Sequence, residues 1–274
     1  MINLTQLIAG FLLAGLAAGL AWQARSLTID GAAAAAVLGG VVFGLGGLAW
    51  AVLLLGFFIT SSGLSRLARK KKMGLDEKFS KGSRRDSAQV LANGGAAGLF
   101  VLLQLVFPGY EWPWLAFAGS LAAANADTWA TELGVLSRST PHLITTGQPV
   151  ERGTSGGITL EGTLAAAAGA LFIALLAASV RPGLPLWSAA AGIAIAGLLG
   201  SLADSLLGAT VQAIYSCPTC RKETERHPLH TCGSPTALAH GLPWLNNDMV
   251  NTACCLAGGL SAVLMVTFLQ RLFL

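Results

Sequence analysis

The chain has 274 residues, of which 54% are hydrophobic and only 11% are charged, and its formal net charge is +4. Soluble domains carry about 25% charged residues, so this composition excludes an ordinary soluble protein. We expect one membrane domain over residues 1–274, surrounded by lipid and with no nucleic-acid partner. The apolar segment that ends at Trp22 lacks the basic region of a signal peptide, which predicts a first membrane span.

Apolar segments long enough to cross a bilayer follow one another along the chain. Residues 31–62 form one continuous run that is long for one span and short for two. The glycines in its centre, at 44, 46 and 47, predict a tight hairpin. The sequence therefore predicts an all-α bundle of eight spans, or seven without the hairpin. The eight segments are 3–21, 31–46, 48–65, 88–107, 113–133, 158–180, 187–212 and 248–271.

The positive charges indicate an orientation. Eight spans place 15 of the 17 Lys and Arg residues on one side and only Arg181 and Arg271 on the other. The positive-inside rule puts the basic side in the cytoplasm, as in a bacterial plasma membrane. The predicted cytoplasmic segments are a basic loop at 66–87, a Gly/Thr/Arg loop at 137–157 and a Cys/His insert at 215–243.

Two acids lie in the fifth predicted span. An ionisable residue in a membrane helix costs a few kcal/mol and therefore indicates a functional site. Asn125, Thr128 and Glu132 share one helix face, and Asp127 lies about 140° from Glu132 on an ideal helix. Such oxygen donors suit Mg²⁺ shared with substrate phosphates. The alternative is a buried polar network that holds helices together.

The loop after this span has the composition of a phosphate cradle. Its glycines permit turns that aim backbone N–H groups at one anion, and its Arg and hydroxyl side chains add donors. Ser155 or Thr159 is expected to cap the following helix, whose N-terminus favours phosphate. An ordinary Gly-rich turn is the alternative, and the chain has no P-loop lysine here. The candidate phosphate-binding residues are Arg152, Gly153, Thr154, Ser155, Gly156 and Gly157.

Polar residues recur near the predicted cytoplasmic ends of other spans. Asp204 and Asp248 join Asp127 as predicted Mg²⁺ ligands, although Asp204 can also be a plain hydrogen-bond partner and Asn247 or Asp248 a helix cap. Adjacent Arg84 and Arg85 can hold a phosphate, or can simply set topology beside lipid head groups. The further predicted substrate-binding residues are Asn93, Ser205, Gln212, Asn247 and Asn251.

The Cys/His insert carries a zinc pattern. A C-x-x-C pair at Cys217 and Cys220 is followed by His230 and Cys232, with His227 as a substitute for His230. Four protein ligands would close the site and make it structural. A redox pair and a set of residues that bind nothing remain the alternatives.

These motifs together resemble a known family. The segments are Asn125-Ala-Asp127-Thr-Trp-Ala-Thr-Glu132, Arg152-Gly-Thr-Ser-Gly-Gly157, Gly200-Ser-Leu-Ala-Asp204-Ser and Trp244-Leu-Asn-Asn247-Asp248. They resemble the integral membrane family that includes the plant phytyl phosphate kinase of vitamin E synthesis, over nearly the whole chain. The resemblance implies phosphoryl transfer from a nucleoside triphosphate, CTP among the donors, to an isoprenoid monophosphate.

A more remote resemblance concerns the order Asp127-Thr, Gly134, Pro141, Thr154 and Gly162. This order is similar to that of CTP-dependent phosphatidate cytidylyltransferases and dolichol kinases. The chain departs from that pattern because it lacks the lysine before Thr154. A cytidylyltransferase that makes a CDP-lipid is therefore kept as an alternative.

The motif roles follow from the chemistry of phosphoryl transfer. An acceptor phosphate is already an anion, so catalysis is positioning and charge neutralisation. Asp127, Asp204 and Asp248 would bind Mg²⁺ or orient substrate, with Glu132 in support. Arg152, Thr154 and Ser155 would hold donor phosphates, and Arg84 and Arg85 the acceptor or nucleotide. An ion-coupled transporter and a scaffold with a zinc knuckle are the competing classes, and the sequence leaves the oligomeric state open.

Overall fold

The structure, a computed structural model, describes residues 3–72, 78–79, 81–82, 84–181, 183 and 185–273. Long helices dominate this part of the chain, which confirms the predicted all-α membrane bundle. The helices are α1 (Leu4–Gln23), α2 (Ile29–Val41), α3 (Leu48–Lys72), α4 (Ser87–Val106), α5 (Trp112–Gly134), α6 (Leu160–Val180), α7 (Leu186–Thr210) and α8 (Asn247–Phe273).

Short antiparallel strands lie in two of the loops. Between α5 and α6, β1 (His142–Leu143) pairs with β2 (Gly157–Ile158), with His142 opposite Ile158. Between α7 and α8, β3 (Ile214–Cys217) lies between β4 (Lys222–Thr224) and β5 (Ala237–His240). Both small sheets fall inside the predicted segments 137–157 and 215–243 or at their borders, so they are structured rather than simple connections.

Helix α5 is the centre of the bundle and differs from the other seven. Within the described residues, seven helical segments are long and apolar enough to cross a membrane, and α5 is not one of them. Its side chains are buried continuously from Pro113 to Ala126, because α3, α4, α6, α7 and α8 all pack against it. A helix enclosed by other helices needs no lipid-facing apolar surface, so α5 tolerates polar residues that a peripheral span would not.

The predicted turn between the second and third spans lies at Gly47. Residues Val42–Gly46 are π-helical, and Gly47 then adopts a positive φ of 85° before α3 begins. Near the end of α3, Arg66 donates hydrogen bonds to the Ala24 carbonyl (2.8 Å) and to Ser26 Oγ (2.7 Å). The chain therefore returns to the end of the bundle from which α2 begins, so α2 and α3 form two passes.

Small residues allow the core helices to approach closely. A Cβ at Gly119 of α5 would overlap Gly258 and Ala262 of α8, and a Cβ at Gly200 of α7 would overlap Ala123 of α5. Such packing of small residues is typical of membrane helices, where close approach supplies the van der Waals contact that lipid cannot. It fixes α7 and α8 against the acid-bearing half of α5.

Four loops meet at one end of the bundle, which we call the loop end. The backbone N–H of Arg85 donates to the Ser26 carbonyl (3.0 Å), which joins the α3–α4 and α1–α2 loops. Lys78 Nζ forms an ion pair with Glu151 Oε2 at 2.8 Å. The backbone carbonyl of Lys78 accepts a hydrogen bond from the N–H of Glu225 at 2.9 Å, so the α3–α4 loop also contacts the α5–α6 and α7–α8 loops. The predicted basic segments thus share one side.

The basic segment predicted at 66–87 is only partly a loop. Residues 66–72 continue α3, which reaches Lys72. Positions 73–77, 80 and 83 lie outside the described residues. The opposite end of the bundle carries Arg181, which pairs with Glu111 at 2.9 Å.

Candidate functional site

A cavity of about 600 Å³ lies at the loop end, with walls from α3, α4, α5, α6, α7, α8 and three loops. It brings together most of the residues singled out in the sequence, although they are spread over the whole chain. The predicted residues that line it are Arg85, Asn93, Asp127, Thr128, Glu132, Arg152, Gly153, Thr154, Ser155, Gly156, Gly157, Asp204, Ser205, Gln212, Asn247 and Asn251.

The acids of the cavity come from two neighbouring helices. Asp127 on α5 and Asp204 on α7 both line it and are close enough for their charges to act on one another. Asp204 Oδ2 is buried and has no hydrogen-bond partner among the described residues. Glu132 accepts a hydrogen bond from Ser65 Oγ at 2.8 Å. A buried carboxylate oxygen without a donor is costly, so this pair fits a hard divalent cation, which binds carboxylate oxygens and offsets their repulsion.

The Gly-rich loop reaches the cavity through close contact with α7. Gly153 and Gly156 have positive φ values of 79° and 77°, as the predicted turns require. A Cβ at Gly156 would overlap Ala209, so this position needs glycine for space as well as for conformation. The loop is held at its ends by the β1–β2 pair. Within the described chain, the backbone N–H groups of Gly153, Ser155 and Gly156 donate no hydrogen bond.

Of the two predicted caps for α6, Thr159 is the one observed. Thr159 Oγ1 accepts a hydrogen bond from the N–H of Gly162 at 3.0 Å. Ser155 Oγ instead donates to Glu225 Oε1 at 3.1 Å. Glu161, in the first turn of α6, is exposed and accepts from Ser139 Oγ at 2.7 Å. Glu161 is therefore a charge at a helix start and lies outside the cavity.

Arg85 supplies positive charge to the cavity, and its guanidinium N–H groups can donate hydrogen bonds to a ligand. Its guanidinium carbon lies 5.6 Å from the centre of the Phe57 ring. Among the described residues, none accepts a hydrogen bond from this guanidinium. Burial lowers the pKa of Arg85, and the charge of Glu132 acts in the opposite direction. A partly buried arginine beside an acid, whose N–H groups are not used by the described residues, is suited to bind an anion.

Asp248, unlike Asp127 and Asp204, is not among the residues that line the cavity. Its carboxylate binds Lys81 Nζ at 2.6 Å, and Lys81 also binds Asp86 at 2.9 Å. Burial would lower the pKa of Lys81, but the hydrogen bonds to Asp248 and Asp86 raise it above its ordinary value. Asp248 is thus an ion-pair partner that holds Lys81 against the cavity. Its predicted role as a Mg²⁺ ligand beside Asp127 and Asp204 stays a prediction.

The cap of α8 also differs from the prediction. Asn246 Oδ1 accepts a hydrogen bond from the N–H of Met249 at 3.1 Å, so Asn246 caps the helix rather than Asn247 or Asp248. Asn247 is therefore left to line the cavity together with Asn251.

Two predicted substrate-binding residues point elsewhere. Asn125 is fully buried between helices, where it accepts hydrogen bonds from Thr60 (3.0 Å) and Ser61 (3.3 Å) and donates to the Gly169 carbonyl (2.8 Å). Asn125 therefore belongs to a buried polar network that holds helices together, which is the alternative given in the sequence analysis to a substrate-binding role. Arg84 is exposed, donates to the Leu27 carbonyl at 3.2 Å and is not among the residues that line the cavity.

Further residues line the cavity beside those already named. Lys81 and Gln89 belong to the same stretch as Arg85 and Asn93, and the spacing of Gln89 and Asn93 already predicts that they share one helix face. Glu225 and Arg226 come from the Cys/His insert, and no sequence signal places the insert against the cavity. Glu225 Oε1 accepts hydrogen bonds from Gln212 Nε2 (2.9 Å) and Ser155 Oγ (3.1 Å). The insert therefore forms part of the cavity wall.

The Cys/His insert brings its four predicted ligands together. The ligand atoms of Cys217, Cys220, His230 and Cys232 all lie within 4.8 Å of one another, so this group can hold a metal ion. Two of the spacings are 3.6 Å, between the Cys217 and Cys232 sulfurs, and 3.3 Å, from His230 Nδ1 to the Cys232 sulfur. A tetrahedron with Zn–S bonds of about 2.3 Å has edges near 3.8 Å, so the group needs little adjustment.

The surroundings of the cluster support metal binding. Hydrogen bonds from Ser234 and His230 lower the pKa of Cys232 to about 5, whereas the hydrogen bond to Cys232 raises the pKa of Cys220 to about 11. Cys232 therefore favours the thiolate that a metal requires, and Cys220 would lose its proton on binding the metal. His227, the predicted substitute, stacks on Tyr215 with ring centroids 4.4 Å apart and is not part of the group.

Residues 12–259 match the model of the family described as integral membrane protein DUF92. The chain belongs to this family. It is 34% identical to Protein PGR of Arabidopsis thaliana over 90% of this chain and 91% of that protein. An uncharacterised membrane protein of Methanocaldococcus jannaschii is 38% identical over 68% of this chain and 75% of its own length.

Another relative is the chloroplastic protein VTE6 of Arabidopsis thaliana, which is 28% identical over 89% of this chain and 67% of its own length. The family resemblance carried by the sequence motifs is confirmed by these relatives. No solved structure matches the chain.

Proposed function

We propose that the protein is a membrane-embedded isoprenoid phosphate kinase. It would transfer a phosphoryl group from a nucleoside triphosphate, CTP or ATP, to an isoprenoid monophosphate in the presence of Mg²⁺. The observation that carries this proposal is the single cavity that joins the Asp127–Asp204 pair to Arg85 and the Gly-rich loop. Acids for a metal, cations and backbone amides are the groups that phosphoryl transfer requires in one place.

The reaction needs positioning more than proton transfer. A phosphate oxygen of the acceptor attacks the γ-phosphorus of the donor, the bond from that phosphorus to the bridging oxygen breaks, and the electron pair leaves with the nucleoside diphosphate. Asp127 and Asp204 would hold Mg²⁺, which neutralises charge on the transferred group. Arg85 would balance charge on the acceptor side. The attacking oxygen is already anionic, so no strong general base is needed.

The Gly-rich loop is the proposed donor-phosphate site. The N–H groups of Ser155 and Gly156 are available, and Arg152 and Thr154 line the same wall. Consecutive amides in turns with positive φ form a concave donor surface for an anion. Glu225 holds the Ser155 hydroxyl, so the loop is positioned from the insert side as well.

We further propose a structural Zn²⁺ in the Cys217, Cys220, His230 and Cys232 group, and a cytoplasmic location for the loop end. Zinc with four protein ligands has no open position for substrate. The proposed side follows from the positive-inside rule, because the loop end carries nearly all the basic residues. A bacterial-type plasma membrane is the proposed location.

The test is direct phosphoryl transfer by the purified protein. The protein in detergent is incubated with Mg²⁺, geranylgeranyl monophosphate and γ-³²P-labelled CTP or ATP, and lipid products are separated by chromatography. We expect labelled geranylgeranyl diphosphate from the wild-type protein and from Arg138→Gln, a loop-end variant outside the cavity. Labelled pyrophosphate with a CDP-lipid would show cytidylyl transfer instead. No labelled lipid with either donor, together with nucleotide-independent flux in proteoliposomes, would assign the protein to the transporters.

A further inference from the structure

A second cavity of about 330 Å³ adjoins the first at the loop end. Arg85 and Ser65 line both cavities, so the two share a wall. The second cavity has a different chemistry, since arginine and serine side chains dominate it and no carboxylate among the described residues lines it. Its polar lining residues are Arg25, Ser26, Ser62, Ser65, Arg66 and Arg85.

The three arginines are arranged to face an anion. Arg66 is fixed by its hydrogen bonds to the Ala24 carbonyl and Ser26 Oγ. Arg25 lies in the turn between α1 and α2 with a positive φ of 57°, an uncommon conformation for a non-glycine residue. The guanidinium of Arg85 has no hydrogen-bond acceptor in the described chain. Glu132 acts on Arg85 from the first cavity, but no carboxylate in the described chain lines the second one, so an anion between the guanidinium groups would reduce their mutual repulsion.

The position of the cavity points to an anion that is carried by a lipid. The cavity lies between the α1–α2 turn and α3. Helices α1 and α3 make few direct contacts with each other. Both helices expose apolar side chains near this end, with Leu20 57% and Leu67 76% exposed. Basic pockets between membrane helices bind lipid head groups, because the tail stays in the bilayer while the head leaves it. The cavity therefore lies beside exposed apolar side chains of α1 and α3 that a lipid chain could contact.

We propose that this second cavity binds the phosphate head of the isoprenoid monophosphate acceptor, with its chain in the bilayer beside α1 and α3. This inference rests on the proposed function and deepens it by separating the two substrates. The donor occupies the first cavity, beside Asp127 and Asp204. Arg85, in the shared wall, contacts both phosphates and brings the acceptor oxygen to the γ-phosphorus.

The test measures binding of each substrate separately, without turnover. Binding of geranylgeranyl monophosphate and of Mg²⁺–CTP is measured for the wild-type protein and for Arg25→Gln. The loss of one charge-assisted contact is expected to weaken binding of geranylgeranyl monophosphate about tenfold. Binding of CTP is expected to stay unchanged. Arg138→Gln, which removes an exposed arginine of the same end outside both cavities, is the matched control and is expected to bind both as the wild type does.

A second variant and two competitors complete the test. Ser62→Asp places a negative charge in the wall and is expected to weaken binding of geranylgeranyl monophosphate more than Arg25→Gln does, again without an effect on CTP. Geranylgeraniol and inorganic phosphate are expected to compete poorly, because each carries only half of the recognised ligand.

Three results would overturn the proposal. Unchanged binding of geranylgeranyl monophosphate in both variants would remove the cavity from the acceptor site. Weakened CTP binding would assign the cavity to the donor. Equal competition by inorganic phosphate would show a general anion site. These results are independent of turnover, so they are distinguishable from a failure of the kinase assay itself.

Discussion

At the residue scale, two polar side chains in membrane helices have opposite environments. Asn125 is buried with its donors and acceptors used by Thr60, Ser61 and Gly169, whereas Asp204 has a buried oxygen without a partner among the described residues. A satisfied network stabilises the contact between helices, while an unsatisfied carboxylate is an energetic cost that a ligand can remove. Burial alone does not distinguish them; the hydrogen-bond partners do.

Asn125→Ala is therefore expected to destabilise the protein by about 1–3 kcal/mol, because it leaves the Gly169 carbonyl and two hydroxyls without their partner. Thermal unfolding in detergent measures the change. The folded fraction of this variant should keep the wild-type KM for both substrates. A normal melting temperature with a raised KM would instead return Asn125 to the substrate site.

Gly156→Ala tests the close contact between the Gly-rich loop and α7. A Cβ would overlap Ala209, and the positive φ of 77° adds conformational strain. The loop is expected to move away from α7, which should raise the KM for the nucleotide about tenfold or more with a smaller effect on the lipid KM. Gly147→Ala, which has positive φ but open space around it, is the matched control. Equal effects of both substitutions would show that strain alone, and not the contact, matters.

At the element scale, the Cys/His insert is a wall of the cavity and also carries the four residues that could hold a metal ion. β4 ends at Thr224, and the next residue, Glu225, binds Gln212 and Ser155. The candidate ligands lie before and after β4, so a metal ion bound to them would fix where Glu225 and Arg226 lie. A structural ion here would act on the cavity through the position of this wall, without touching substrate.

Cys217→Ser is expected to abolish metal binding, loosen residues 214–246 and lower phosphoryl transfer strongly, while the helices stay folded. Bound zinc per chain, hydrogen exchange of this segment and transfer activity are measured together. Cys254→Ser, a buried cysteine of α8 outside the ligand group, should keep its zinc. Full protection of the segment in a zinc-free Cys217→Ser protein would show that the insert folds without metal.

At the scale of the whole molecule, the sequence predicted the helices from the lengths of its hydrophobic segments. It predicted that the basic loops lie at one end of the bundle from the distribution of positive charge. Asp127 and Asp204 could be predicted as candidates because acids are rare in apolar segments. The Gly-rich loop could be predicted from its glycines and its Arg and hydroxyl side chains. The contribution of Glu225 was not predictable, because it depends on how the insert folds onto the bundle. That Arg85 lines the cavity and Arg84 does not depends on the local backbone, which composition does not reveal.

The proposed orientation predicts which residues are accessible from outside an intact cell. Gly109→Cys lies in the loop between α4 and α5 with open space around it and is expected to react with an impermeant maleimide. Ser139→Cys, exposed at the loop end, should react only after permeabilisation, as should the native cysteines of the insert. The reverse labelling pattern would place the loop end outside the cell.

The central claim is that the Asp127–Asp204 pair is the centre of Mg²⁺-dependent phosphoryl transfer, and Asp204→Asn tests it most directly. The measurement is the rate of ³²P transfer to geranylgeranyl monophosphate as Mg²⁺ is varied, with thermal unfolding as the folding control. We predict a loss of about 100-fold or more in kcat, consistent with loss of a metal ligand, in a protein at least as stable as the wild type, because a buried charge is removed. Wild-type turnover and Mg²⁺ dependence in Asp204→Asn would contradict the account.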